Sequence, residues 1–184
     1  MNNMELEGYI RDMQYFQRYE MHEEALDIVK KISLEDIDLE KKCQIYRLQC
    51  LSYRKLGRMD EALVCISNAI SIATDETKKE KSDHNLKQLG ICLMNKGVVY
   101  DYNTDYSNAC KYYKKAISLF RTMRDQEEGI LINALINYGE ALYNSGNNNK
   151  ALFIFREGLG LLADKEDARY SYLEKKIDIL ENRY

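Results

Sequence analysis

Two asparagines, Asn95 and Asn137, each stand two residues before a glycine inside a stretch of helical apolar spacing. A primary amide both donates and accepts. A ladder of such side chains can therefore pair with the backbone of an extended peptide of any sequence. Asn133, Asn137, Glu140 and Asn144 follow one another at helical steps, and Tyr102 stands seven residues after Asn95, so each set shares one helix face. Toward the other end of the chain, Arg47 and Arg54, with Lys55, Arg11 and Arg18, could hold an acidic side chain or a terminal carboxylate. The full set of basic and amide residues needed for a two-carboxylate clamp is absent.

Catalytic chemistry finds no comparable support. The two histidines, His22 and His84, fall in a turn and in a charged segment, without metal-ligand spacing. There is no glycine-rich phosphate loop, no nucleophile elbow and no HExxH. The carboxylates follow solvent faces rather than forming an acid–base pair. No enzyme activity, metal or other cofactor is expected. Five cysteines, an odd number with no CxxC pair, point to reduced thiols in a cytoplasm, and Cys50 and Cys110 read as small core residues. Among fifteen tyrosines, Tyr53, Tyr100, Tyr113 and Tyr138 take core positions, whereas Tyr102 and Tyr143 are candidates for contact with a partner.

The elements that must carry these residues are helices. Proline is absent, only nine glycines occur, and 45% of residues are hydrophobic, which favours an all-α chain with a continuous core. Between Asn133 and Leu162, Leu135, Tyr138, Gly139 and Leu142 mark one face. Ser145-Gly146-Asn147-Asn148 breaks the pattern, and Ala151, Leu152, Phe155 and Leu159 resume it. Gly139 and Ala151 are small where two helices approach. Aligning on the small residue that opens each second helix gives Ala25, Ala62, Ala109 and Ala151, at intervals of 37, 47 and 42 residues.

Four hairpins result. In the first, Tyr9 and Phe16 precede a turn at Glu20-Met21-His22, then Ala25, Val29 and Ile32. The second has Tyr46, Cys50 and Tyr53, then Gly57 at a helix end, Asp60 as an N-cap, and Ala62, Ile66 and Ala69. The third has Leu93, Gly97 and Tyr100, then Ala109, Tyr113, Ala116 and Ile117. The charge run 75–84 reads as a solvated helix extension, and a last amphipathic helix with Tyr172, Leu173, Ile177 and Leu180 reads as a cap.

The fourth stretch, Leu135-x-x-Tyr138-Gly139-x-x-Leu142 then Ala151-x-x-x-Phe155, resembles the tetratricopeptide repeat. Leu93-x-x-Lys96-Gly97-x-x-Tyr100 then Ala109-x-x-x-Tyr113-x-x-Ala116 does too, and Tyr46-x-x-Gln49-Cys50-x-x-Tyr53 then Ala62-x-x-x-Ile66-x-x-Ala69 is close. The long intervals and missing prolines resemble the variants of roughly 40 residues per repeat. The resemblance implies a right-handed α-solenoid: one domain, 1–184, with hairpins at 4–33, 40–74, 87–123 and 128–163 and a capping helix at 165–183. It also implies that first helices line a concave groove, placing Asn95, Asn133, Asn137, Glu140, Asn144, Tyr102, Arg47 and Arg54 there as candidate binding residues.

The expected function is binding of a protein or peptide segment, as an adaptor, scaffold or chaperone-like module. A peptide-sensing regulatory module, or a fragment of one, is the first alternative. The repeats begin within ten residues of Met1, which leaves no room for a DNA-binding domain within this chain. Self-association into a homo-oligomer is the second. A net charge of −3 gives no general attraction to nucleic acid, and no apolar run is long enough for membrane insertion.

Overall fold

The computed structural model describes residues 3–35, 37–123 and 128–182. Residue 183, the last of the expected capping helix, lies outside them. The described residues form nine α-helices and no strand: α1 Asn3–Arg18, α2 His22–Val29, α3 Leu39–Lys55, α4 Met59–Lys79, α5 Asp83–Tyr102, α6 Tyr106–Phe120, α7 Glu128–Asn144, α8 Asn148–Gly160 and α9 Ala168–Glu181. The fold is an all-α helical repeat. The expected extension through the charge run is real as far as Lys79. There α4 stops, and Ser82 caps α5 by accepting from the Asn85 N–H at 3.2 Å.

All four hairpins turn by the same device. One residue in each takes a left-handed conformation: Glu20 (φ 59°), Gly57 (75°), Thr104 (58°) and Gly146 (81°). The next N–H reaches back five residues, from Met21 to Phe16 O (2.8 Å), Arg58 to Tyr53 O (2.8 Å), Asp105 to Tyr100 O (2.9 Å) and Asn147 to Leu142 O (2.8 Å). The left-handed residue's own N–H bonds the carbonyl three residues back. Together these bonds satisfy carbonyls that a helix end would otherwise leave orphaned. Glycine adopts this conformation without strain, whereas Glu20 and Thr104 hold it against the clash of their Cβ.

Each left-handed residue stands five positions before the alanine that opens the second helix, and Ala25, Ala62, Ala109 and Ala151 are all fully buried. Facing them, the glycines of the first helices are seats for aromatic rings. A Cβ on Gly97 would come within 2.7 Å of the Tyr113 ring, and one on Gly139 within 2.3 Å of Phe155. α5 carries a second such seat, since a Cβ on Gly90 would lie 2.3 Å from the Phe120 ring. In the third hairpin this contact occurs twice along the paired arms.

Two expectations are corrected, the cap at Asp60 and the core placement of Tyr53 and Tyr100. Asp60 is not an N-cap. Arg58 takes that position without a side-chain cap, and Asp60 and Glu61 fall in the first turn of α4, where their charge meets the positive end of the helix. In α1 the buried face is Leu6, Ile10 and Met13, while Tyr9 and Phe16 pack half-buried against it. Tyr9 and Phe16 thus share one helix face, as expected, and flank the aliphatic centre of the cluster. Tyr53 and Tyr100 are likewise only half-buried.

The chain forms two compact units, Met1–Lys81 and Ser82–Tyr184. In the first, α1, α2, α3 and α4 pack in sequence, and α1 also meets α3. There Gln17 of α1 donates to Leu48 O (2.6 Å) and to Ser52 Oγ (2.8 Å) of α3. In the second, α5 to α9 pack in sequence and α5 touches α7. No described helix is long and apolar enough to cross a membrane.

Candidate functional site

The first helices of the second unit, α5 and α7, present a polar stripe beside their glycine seams. Asn95 and Asn137 are both half-buried, two residues before Gly97 and Gly139, and neither amide is hydrogen-bonded to another described residue. Burial of Gly97 and Gly139 against rings on the second helices turns these amides to the other flank. Tyr102 lies exposed at the end of α5, and Asn144, also exposed, ends α7.

The other two expected residues of this stripe are already held by α9. Arg169 donates through Nη1 to Asn133 Oδ1 (3.2 Å) and to the Gly129 carbonyl (3.0 Å), while Asp167 fixes the same guanidinium at Nη2 (2.6 Å). Glu140 accepts from the Tyr172 hydroxyl (2.6 Å) at one oxygen and from Lys176 Nζ (2.9 Å) at the other. Lys176 also lies over the rings of Tyr143 (5.2 Å) and Tyr172 (5.5 Å). Desolvation, then the bond to Glu140, pushes the Tyr172 hydroxyl well above the usual phenol range.

Beside this network lies Asp101 of α5, which the sequence reading did not single out. Burial raises its carboxyl above the ordinary range, the Tyr113 hydroxyl at 3.5 Å opposes that, and the charge of Glu140 adds to it. Cys110, half-buried rather than in the core, is raised by burial and then by Asp101. The amide flank is thus uncommitted and can pair with peptide groups, whereas Asp101 lies on the seam side with the Tyr113 ring. The signal for α9 was present in the sequence: Leu173-x-x-Lys176-Ile177-x-x-Leu180 repeats the spacing of Leu135-x-x-Tyr138-Gly139-x-x-Leu142. α9 packs on α8 as α7 packs on α6.

Arg47 and Arg54 belong to the first unit, both half-buried on α3. His22, expected in a turn, opens α2 with 8% exposure, and its Nδ1 has no hydrogen-bond partner among the described residues. Burial lowers its pKa, and the cations Lys55 and Arg54 lower it further. Cys50 is buried as expected, and desolvation pushes its thiol up to about 12, so it is inert near neutrality. Among the described residues no group of three or more His, Cys, Asp or Glu side chains is placed to hold a metal ion.

Helical hairpins with a shared turn geometry and a glycine–ring seam define a class of helical-repeat protein. Residues 92–122, covering the second half of α5 and the whole of α6, match the model of the tetratricopeptide repeat. A Podosopora anserina protein of kinesin-light-chain type, with nearly identical TPR-like repeats, superposes with a TM-score of 0.75 over 97% of this chain and 86% of its own, at 12% identity. BtubC (BKLC) from P. vanneervenii does so with a TM-score of 0.67 over 93% of this chain and 66% of its own, at 16% identity. Residues 92–122 thus carry a tetratricopeptide repeat, within a chain whose fold is that of TPR-like helical-repeat proteins. The chain is also similar to the transcriptional activator NprA of Geobacillus stearothermophilus, 28% identical over 139 residues, which is 76% of this chain. The match takes in 32% of that activator's length.

Proposed function

We propose that the chain is a recognition module that holds a protein or peptide segment on the first-helix face of α5 and α7, bordered by α9, and transforms nothing. The observation that carries this reading is the pair Asn95 and Asn137. Two half-buried amides at one register, unspent within the described residues, sit where an extended backbone can pair with them. The tetratricopeptide-repeat fold supports a scaffold, adaptor or chaperone-like role for such a face.

The test is capture of crosslinked partners from a lysate, wild type beside Asn95→Ala/Asn137→Ala, quantified by mass spectrometry. A partner held by wild type and depleted about tenfold from the variant, at unchanged melting temperature, is the expected result. Equal capture by both proteins would remove the face from consideration.

A second reading rests on the similarity to the transcriptional activator NprA. In it, occupation of the same face regulates an activity carried elsewhere. Hydrogen exchange separates the two. Protection confined to α5, α7 and α9 on binding supports a passive adaptor, and protection that spreads through Met1–Lys81 supports a regulator.

A further inference from the structure

On the second-helix side of the same unit, α6 and α8 part over α7 and leave a cleft of about 520 Å³. Its floor is apolar: Leu135 and Tyr138 of α7 and Ile117 of α6 are all nearly inaccessible in themselves but form its base. Phe153 of α8 stands at its edge with 68% of its surface exposed. A ring so exposed, next to a cleft with an apolar floor, leaves a hydrophobic surface without a cover.

The rim is charged, and unevenly so. Arg121, which caps the end of α6, and Glu157 of α8 pair with one another across it and cancel. Lys114 of α6 and Lys150 of α8 remain, both exposed and neither with a carboxylate partner among the described residues. Lys114 lies over the Tyr138 ring at 5.9 Å, so its charge is aimed at the floor. The cleft therefore has a net positive rim on a chain whose net charge is −3. That local reversal selects for a negatively charged visitor.

We propose that this cleft is a second docking site, for an acidic peptide segment that inserts a large apolar side chain. The apolar side chain lies on Leu135, Tyr138 and Ile117 against Phe153. Carboxylates on either side of it meet Lys114 and Lys150, one from each helix. The volume is within the range of formed ligand sites and exceeds one side chain, so two neighbouring apolar residues fit. An extended or single-turn segment brings carboxylates to both rims at once. A second copy of the chain, itself of net charge −3, is the competing occupant that the test separates.

The test uses a fluorescein-labelled decapeptide with a central phenylalanine–leucine pair between aspartates and glutamates, read by anisotropy against the full chain. Expected is saturable binding that falls about tenfold when the central pair is replaced by serines, and about as much when the flanks are made basic. Lys114→Glu/Lys150→Glu should also weaken it about tenfold, while Asn95→Ala/Asn137→Ala leaves it unchanged. All four side chains are solvent-reachable, and circular dichroism verifies the fold of each variant. Binding indifferent to the lysine reversal, or lost in the asparagine variant instead, would overturn the proposal. So would the absence of saturable binding, or dimerisation by sedimentation that Phe153→Ser abolishes, since the latter makes a second copy the occupant.

Discussion

In the hairpin of α7 and α8, Gly139 leaves room for the buried Phe155 ring. At the same two register positions of α1 and α2 stand Met13 and Val29. Twelve residues separate Met13 from Ala25, as twelve separate Gly139 from Ala151, and Val29 and Phe155 each stand four beyond the alanine. One hairpin puts the bulk on its second helix and the other on its first. Cys50 and Ile66 in the second hairpin lie between these extremes. What the fold requires at this level is a summed volume, and the residue type at either position is free to vary against its opposite.

The largest expected effect comes from breaking that complement. Gly139→Leu drives a side chain into a ring that cannot move, and should cost about 3 kcal/mol, read as a lower urea midpoint. Gly139→Met with Phe155→Val rebuilds the pairing of the first hairpin and should recover at least half of that loss. If the double variant is no better than the single one, size exchange is not the rule that relates the two hairpins.

A smaller effect separates the turns. Gly146 has nothing within 4 Å of an added Cβ, so Gly146→Ala tests the backbone conformation alone and should cost about 1 kcal/mol. Thr104 holds the same conformation with a β-branched side chain, and Thr104→Gly should stabilise by up to about 1 kcal/mol. Equal and opposite shifts in thermal midpoint would confirm that the two turns differ only in stored strain.

The pairing reaches from first helices to how much of the molecule could be read from residue types. The alanine register was legible because small residues at a close helix approach have no substitute of another kind. The turns at Glu20 and Thr104 were legible in position, from Glu20-Met21-His22 and Asn103-Thr104-Asp105, but their left-handed conformation was not, since neither residue is glycine and the bonds around it impose it. Asn95 and Asn137 were legible as a repeated register. The attachment of Asn133 and Glu140 to Arg169, Tyr172 and Lys176 was not, because those partners lie 32 to 36 residues away and depend on where α9 docks. The cleft beside Phe153 depends on the spacing of α6 and α8, which no local pattern encodes.

The smallest expected effect concerns the end of the second unit. The Arg169 guanidinium, then the Arg169 backbone N–H, hold the Asp167 carboxyl down from its ordinary 3.8 to about 2. A depressed carboxylate contributes stability that is complete above pH 3.8 and is lost as pH falls through about 2. Acid melts of wild type should therefore show a loss in that window that Asp167→Asn lacks, followed best by exchange protection of α9. Asp101 has the opposite sign. Its raised carboxyl favours the folded state as pH falls through its raised range, and Asp101→Asn should flatten that limb.

The doubled seat on α5 sets a rule for how such a hairpin can grow. Gly90 precedes Gly97 by seven residues and Phe120 follows Tyr113 by seven, so both contacts lie equally far out along the two arms. Seven residues are close to two helical turns, or about 10 Å of helix. An arm lengthened by that step presents the same faces it presented before, whereas one lengthened by three or five would rotate its seam away from its mate. An arm extended by a heptad thus keeps its seam on its mate, and such a module can gain reach without rewriting any contact nearer the turn.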